Sequence, residues 1–377
     1  MAAHIAAAAR SVGKSRNSVA SKARAIWGSD PVALNYALTV QAAEHFEGGL
    51  EVNTLSTYRS GVRSWELFCS ETNREQLYPA DQNSLMLYST WSAARISVKS
   101  IEVYITAIRS HHVSLGLPLP GPDFMPLLKR SLRGIAYSHR RNKKGGLRMA
   151  ITFDVLKRMH AAIDAMAVPD DIYCLLSPIL LKAVFDTAFF TAARPSEISI
   201  RNTSVGKSEP LRLAHLKWFD TDTDQPGGVV LQPKTKNDQM GERCQMIFGV
   251  SGDPDVCAYK SLNAWLDLRV ARGEKLNEQS LLFPVRKLKS QSLVPLSYGM
   301  FRHAIRHVLQ LAGYTDQALE VGFSFRCGAA TTLAHNLVSD STIMAIGRWK
   351  SSAYLAYLQQ SQALRKKTSS LMTDRTE

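Results

Sequence analysis

The chain has 377 residues, 45% of them hydrophobic, and a formal net charge of +14, so it can bury two cores and favours a polyanionic partner. Its five cysteines include no Cys-x-x-Cys pair, so neither a zinc site nor a disulfide framework is indicated, and a reducing compartment fits best. The most apolar segment, residues 178–193, contains Lys182 and Asp186 and is too short to be a membrane span.

Residues 1–47 are predicted to form a basic N-terminal arm. The first 30 residues combine arginine and lysine with many alanines and serines, and Asp30 is their one acid. This composition suits a flexible arm that lies on a nucleic acid, and it equally suits an organelle transit peptide.

Residues 48–139 are predicted to form a helical domain. One face of its first helix is apolar at spacings of three and four: Leu55, Tyr58, Val62, Trp65 and Phe68. Asp81 is predicted to cap a second helix, a third begins near Ser100, and a fourth spans residues 124–137.

The stretch between Phe124 and Phe153 is strongly basic and contains no acid. Its cations are Lys129, Arg130, Arg133, Arg140, Arg141, Lys143, Lys144 and Arg148. Because two glycines at 145–146 add flexibility, residues 140–150 are predicted to be a linker that lies along phosphate backbones. The alternatives are a solvated linker and a nuclear localisation signal.

Residues 151–364 are predicted to form a larger, mixed domain, followed by a mobile tail at 365–377. Thr152 is expected to cap a helix over 153–167, and Pro178 to begin a buried helix that ends at Arg194. Two β-prone runs flank a polar turn. They span residues 229–231 and 245–248. Further helices are predicted from 253 through 268, and over 298–312, 326–337, 342–346 and 351–364.

Two segments carry side chains suited to phosphoryl chemistry. The first is Thr191-Ala-Ala-Arg194-Pro-Ser-Glu197, and the second runs from Phe323-Ser-Phe-Arg326 through Gly347-Arg348-Trp349 to Tyr354 and Tyr357. Together with Lys236 in the polar turn, and in this order, they resemble the tyrosine recombinase (phage integrase) family. The likeness covers roughly residues 50–360. The implied fold is mainly α with a small β-sheet, built as a helical core-binding domain and an α+β catalytic domain.

The resemblance implies a role for each residue of the set. Arg194 and Arg326 would bind the non-bridging phosphate oxygens, because guanidiniums are planar and always charged. Tyr357 would be the nucleophile, and Tyr354, one turn earlier, is interpreted as packing. Lys236 would protonate the leaving 5′ oxygen, with Lys234 as the alternative.

The chain departs from the family pattern at two positions. Phe323 stands where the family usually has histidine, and it can neither donate to phosphate nor move a proton. Arg348 follows Gly347 where the family has histidine or tryptophan, so either Arg348 or Trp349 is expected to contact the phosphate. The Gly-Arg-Trp sequence at this place resembles the corresponding sequence in recombinases of eukaryotic mobile elements.

The resemblance implies site-specific recombination of double-stranded DNA through a 3′-phosphotyrosyl intermediate, as in integration or excision of a mobile element. It further implies a homotetramer on DNA, with no metal, cofactor, membrane or small-molecule substrate. One alternative is a catalytically weak or inactive DNA-binding protein, which Phe323 favours. Another is a type IB topoisomerase, which the helical domain disfavours. The expected location is the nucleus in a eukaryote and otherwise the cytoplasm.

Overall fold

A computed structural model describes most of the chain between residues 52 and 358. The ranges are 52–74, 77–117, 119, 121–142, 149–200, 209–219, 228–231, 245–287, 290–315 and 322–358, with isolated positions 30, 32, 35 and 38. Apart from those four positions, the predicted arm and tail lie outside these ranges. The chain divides into two compact units, Met1–Lys143 and Lys144–Glu377.

The N-terminal unit is helical over its described residues. Its helices are α1 (Val52–Glu71), α2 (Gln82–Ala93), α3 (Val98–Ser114) and α4 (Pro126–Asn142), with a 3-10 turn at Pro122–Phe124. The predicted apolar face of α1 is confirmed, because Trp65 and Phe68 are fully buried in a core shared with Leu85 and Ile101. Helix α1 packs mainly on α3, and α2 on α4.

Side-chain caps set the starts of two of these helices. As predicted, Asp81 caps α2, and its carboxylate accepts a hydrogen bond from the Ser84 N–H (2.6 Å). Helix α3 begins at Val98, slightly earlier than predicted, because the hydroxyl of Ser97 accepts from the Ser100 N–H (3.2 Å). The backbone N–H of Ser100 therefore donates to the capping side chain, while the helix itself begins at Val98.

The predicted linker at 140–150 is wrong at both ends. Helix α4 continues to Asn142, so Arg140 and Arg141 belong to its last turn. Basic side chains are favoured there because the C-terminal end of a helix carries partial negative charge. At the other end, Met149–Ala150 form a strand. Residues 143–148 lie outside the described ranges.

The C-terminal unit is mainly helical with small sheets, which confirms the predicted fold class. Its helices are α5 (Phe153–Asp164), α6 (Pro178–Phe190), α7 (Pro195–Ile198), α8 (Ala258–Ala271), α9 (Tyr298–Leu311), α10 (Phe325–His335) and α11 (Asp340–Gly347). Its strands are β1 (Met149–Ala150), β2 (Leu216–Phe219), β3 (Gly228–Leu231), β4 (Met246–Gly249), β5 (Pro284–Arg286), β6 (Leu293–Pro295) and β7 (Phe323–Ser324). Short 3-10 helices lie at Leu213–His215 and Ser352–Tyr357. Within the described ranges, no helix is both long and apolar enough to cross a membrane.

Strands β2, β3 and β4 form an antiparallel sheet in that order, and β5 pairs with β6. The two predicted strands correspond to β3 and β4, whose Val230 and Ile247 are paired. Strand β2 was not predicted, because Lys217, Trp218 and Phe219 are all exposed and show no alternation of apolar and polar residues. Strand β1 pairs in parallel with β7.

Two predicted helix ends in this unit are wrong for local backbone reasons. Helix α6 ends at Phe190 and not at Arg194, because Ala192 turns the chain into the left-handed region (φ 45°). Helix α8 begins at Ala258, because the Asp253 carboxylate accepts from the N–H groups of Asp255 and Val256 (3.0 Å each) and closes a turn instead.

The predicted C-terminal α-helix at 351–364 is also wrong in its described part. Residues Ser352–Tyr357 form a 3-10 helix, and residues beyond 358 lie outside the described ranges. Before it, α10 packs closely on β1. A Cβ atom added at Gly328 would lie 1.7 Å from the carbonyl oxygen of Ile151, so only glycine permits this approach. This contact fixes the position of Arg326 at the start of α10.

An ion pair ties the end of α8 to the following loop. Arg269 is fully buried, and its guanidinium donates to both carboxylate oxygens of Glu274 (2.8 and 2.7 Å). The hydroxyl of Tyr173 donates to the same carboxylate. The hydrogen bonds from Arg269 hold the pKa of Glu274 below its usual value.

We expect the stabilisation from this pair to depend on pH. Because the pKa of Glu274 is lowered in the folded state, its contribution is complete above the ordinary glutamate pKa of about 4.3 and is lost as the pH falls through the lowered value. Urea denaturation of Glu274→Gln should show a loss of about 2 kcal/mol at neutral pH that vanishes in acid.

The matched control is Asp267→Asn, which changes an exposed carboxylate on the same helix and should leave the free energy of unfolding nearly unchanged. A stability loss in Glu274→Gln of constant size across the pH series would contradict the assigned ion pair.

Candidate active site

The corner between α6 and α7 holds Arg194. This residue is the N-cap of α7, and Pro195 follows at the first helical position, where an N–H would have no helical partner. The Arg194 N–H donates to one carboxylate oxygen of Glu197 (2.7 Å), and its guanidinium donates to the other (2.8 Å). Arg194 is therefore held by both its main chain and its side chain.

The Glu197 carboxylate also binds a second guanidinium. Its side chain is only 1% exposed, and Nη2 of Arg348 lies 2.9 Å from Oε2. A carboxylate removed from water is stable only when cations or hydrogen-bond donors compensate its charge. Glu197 is therefore the shared anion between Arg194 and Arg348.

Arg326 lies at the start of α10 and is buried. Its Nη1 donates to the carbonyl oxygen of Ala192 (3.0 Å), and its Nη2 donates to that of Gly347. The guanidinium lies 4.2 Å from the ring centroid of Trp349, a cation–π contact. A Cβ atom at Gly347 would lie 1.6 Å from this ring, so glycine is required there.

Arg348 ends α11 in a left-handed conformation (φ 57°). Its Nη1 donates to the carbonyl oxygens of Thr191 (2.8 Å) and Ile346 (3.3 Å), and its Nη2 lies 3.5 Å from that of Ala192. Its Nε is buried and has no hydrogen-bond partner in the part of the chain that the structure describes. The terminal nitrogens of Arg348 thus bind protein groups.

These contacts bring three guanidiniums together. Arg194 and Arg348 share Glu197, while Arg326 and Arg348 share the carbonyl of Ala192. Three cations and one carboxylate leave two positive charges among these four side chains. The Arg194 side chain is 27% exposed and that of Arg348 11%, whereas Arg326 is 4% exposed. The cluster is suited to binding an anion, which reaches Arg194 most easily.

The segment that carries the predicted nucleophile packs against this cluster. The 3-10 helix Ser352–Tyr357 contacts α10 and α11. Tyr354 is buried, as expected of a packing residue, with its ring centroid 6.0 Å from that of Trp349. Its hydrogen bond to the Asp340 carboxylate raises the pKa of the Tyr354 phenol. Tyr357 is the last residue of the 3-10 helix, and its side chain is not among those that the structure describes.

Several predicted site residues lie outside the described ranges. Among them are the predicted general acid Lys236 and its alternative Lys234, the predicted linker residues Lys143, Lys144 and Arg148, and the side chains of Arg140 and Arg141. The other predicted DNA-contacting residues are exposed on α4: Lys129, Arg130 and Arg133. Lys129 forms an ion pair with Asp123 (2.7 Å).

Phe323 lies in β7, opposite Met149 of β1. Its ring is partly buried and packs against the main core of the unit. The position three residues before Arg326 is thus occupied by an apolar packing side chain.

Known proteins are similar to this chain over most of its length. An integrase/recombinase of Selenomonas ruminantium described as a XerD homologue is 23% identical over 330 residues, covering 86% of this chain and 87% of the relative. No protein-family model matches the chain.

Two solved structures share the fold. The XerH site-specific recombinase, bound to its palindromic difH substrate after cleavage, gives a TM-score of 0.54 at 13% identity over 85% of this chain and 80% of its own. The integrase of transposon Tn1549, in complex with circular intermediate DNA, gives 0.50 at 13% identity over 90% and 98%.

These similarities point to the tyrosine recombinase family, as the sequence analysis predicted. The narrower resemblance to recombinases of eukaryotic mobile elements stays a prediction.

No role was assigned to Glu197 from the sequence, although the residue lies within the first motif. A local signal existed, because a glutamate three residues after an N-cap position is typical of a capping box. No local signal indicated that Arg348 would reach the same carboxylate, since that contact joins distant parts of the chain.

We expect Glu197→Ala to destabilise the C-terminal unit by about 3 kcal/mol, because two guanidiniums would lose their shared anion. The measurement is urea denaturation. Glu278→Ala, which removes an exposed carboxylate from the same unit, should change the free energy of unfolding by less than about 0.5 kcal/mol. Equal stability of Glu197→Ala and wild type would show that the carboxylate does not hold the cluster together.

Proposed function

We propose that this chain performs site-specific recombination of double-stranded DNA through a covalent 3′-phosphotyrosyl intermediate. The observation that carries the proposal is the convergence of Arg194, Arg326 and Arg348 beside the segment ending in Tyr357. The net charge of +14 also supports a DNA partner. The two structural neighbours described above are themselves bound to DNA.

In the proposed reaction the phenol oxygen of Tyr357 attacks a backbone phosphorus atom, and the bond to the 5′ oxygen breaks. Lys236 gives the leaving oxygen a proton, so a free 5′ hydroxyl remains. Arg194 and Arg326 stabilise the charge that develops on the non-bridging oxygens. A 5′ hydroxyl from a partner duplex then reverses the step, and the ester bond is conserved without a nucleotide cofactor.

Exchange of strands between two duplexes requires four cleavage events, so we propose a homotetramer on DNA. Each protomer would contribute one Tyr357. The biological role follows from the family resemblance, as integration or excision of a mobile element, with the nucleus as the location in a eukaryote and otherwise the cytoplasm.

The proposal predicts a covalent protein–DNA adduct. A library of nicked duplexes of random sequence serves as substrate, because cleavage beside a nick releases a short fragment whose loss traps the adduct. Denaturing gels should show labelled DNA joined to the full-length wild-type chain and none joined to Tyr357→Phe.

Tyr298→Phe, which alters an exposed tyrosine of the same unit, is the control and should form the adduct normally. DNA that is bound but never covalently joined would favour the non-catalytic DNA-binding protein. An adduct that persists in Tyr357→Phe would assign the nucleophile elsewhere. Relaxation of any supercoiled plasmid would favour a topoisomerase.

A second prediction concerns the missing histidine. Since a general acid–base or phosphate contact typically changes rates by about 10²–10⁴-fold, Phe323→His should accelerate adduct formation by up to about 10²-fold. The rate is measured with the same nicked library.

Phe323→Leu is the matched control, because it keeps an apolar side chain against the core without adding a donor. It should not accelerate cleavage. An unchanged rate in a folded Phe323→His protein would mean that a donor at this position does not limit the reaction.

A further inference from the structure

Both the ring and the hydroxyl of Tyr354 interact with neighbouring residues. The residue is 2% exposed and forms a small buried cluster with Ala330 of α10 and Ile343 of α11. Asp340, in the first turn of α11, lies beside its hydroxyl, and this carboxylate raises the pKa of the Tyr354 phenol. A protonated, buried phenol in this setting is an anchor and not a second nucleophile.

The ring of Tyr354 connects this anchor to the arginine cluster. Its centroid lies 6.0 Å from that of Trp349, with the planes inclined by 51°. The guanidinium of Arg326 lies 4.2 Å from the Trp349 centroid. Trp349 is therefore in contact with both Tyr354 and Arg326, and its position above Gly347 leaves little room for movement.

Tyr354 also lies three residues before Tyr357 in the 3-10 helix Ser352–Tyr357. A 3-10 helix has about three residues per turn and rises about 2 Å per residue. The anchor therefore fixes the backbone one turn, or about 6 Å, before the proposed nucleophile.

We propose that Tyr354 is a positioning residue, which acts through Trp349 to hold the backbone of the Tyr357 segment in a fixed place relative to Arg326. This inference rests on the proposed function. It adds a determinant of the cleavage rate that does not contact DNA. It also gives a role to the buried tyrosine that lies three residues before Tyr357.

The test separates binding from chemistry in the full-length chain. Tyr354→Leu keeps an apolar side chain but loses the ring and the hydroxyl, whereas Tyr354→Phe keeps the ring. Because a displacement of about 1 Å can slow a reaction by about 10²-fold, Tyr354→Leu should form the adduct about 10²-fold more slowly at saturating nicked-duplex library. Its Kd for the same duplexes should not change.

Tyr354→Phe should recover part of the rate and stay slower than wild type, because the ring contact with Trp349 persists while the interaction of the hydroxyl with Asp340 is lost. Leu355→Ala is the matched control, since Leu355 is exposed in the same 3-10 helix and should have no effect. A wild-type rate in Tyr354→Leu would overturn the proposal. So would a loss of DNA affinity that accounts for the whole decrease in rate.

Should Tyr354→Leu fail to fold, Tyr354→Phe and Asp340→Asn decide the question. Both remove the interaction between the phenol and the Asp340 carboxylate, so they should slow cleavage by similar factors that do not multiply in the double variant. Wild-type rates in both variants would overturn the proposal.

A second measurement distinguishes failure of the proposed function from failure of the positioning role. If wild type forms no adduct, the recombination proposal fails, and hydrogen exchange still tests the anchor. Backbone amides of Ser352–Tyr357 should then exchange faster in Tyr354→Phe than in Leu355→Ala, while those of α8 remain unchanged. Equal exchange in the two variants would overturn the anchoring role.

Discussion

The rest of the site depends on one buried carboxylate. Glu197 is almost inaccessible to water, and its two oxygens are bound by Arg194 and Arg348. Without these cations the burial of its charge would be prohibitive, and without Glu197 the cations would repel one another. The pairing therefore connects the α6–α7 corner to the end of α11 and leaves a local excess of positive charge.

Backbone carbonyls also bind the guanidiniums of this cluster. Those of Thr191 and Ala192 become available because the chain turns left-handed after α6, and Arg326 and Arg348 both use them. Arg348 thereby serves mainly to join segments of the protein. In the proposed reaction the phosphate would depend most on Arg194, the most accessible guanidinium of the three. The expectation that either Arg348 or Trp349 contacts the phosphate stays a prediction.

Local patterns predicted the elements whose stability is local. The apolar face of α1 and the cap at Asp81 follow from spacing and from side-chain chemistry, and both were correct. The errors fell where a neighbouring interaction overrode a plausible signal. Asp253 and Pro254 suit a helix start, yet the carboxylate closes a turn on its own backbone. The segment Ser352–Tyr357, predicted as an α-helix, is a 3-10 helix that packs on α10 and α11.

The sequence by itself determined the resemblance to the family, the order of the arginines and tyrosines, and the presence of phenylalanine in place of histidine at position 323, because these are properties of residue type and spacing. Only the tertiary structure decided that Arg348 turns to Glu197, that Trp349 lies between Arg326 and Tyr354, and that Tyr354 is an anchor. The physical reason is that these contacts join segments distant in the chain, whose approach is set by packing such as that of Gly328 on Ile151. Periodicity and capping report only on neighbours within a few residues.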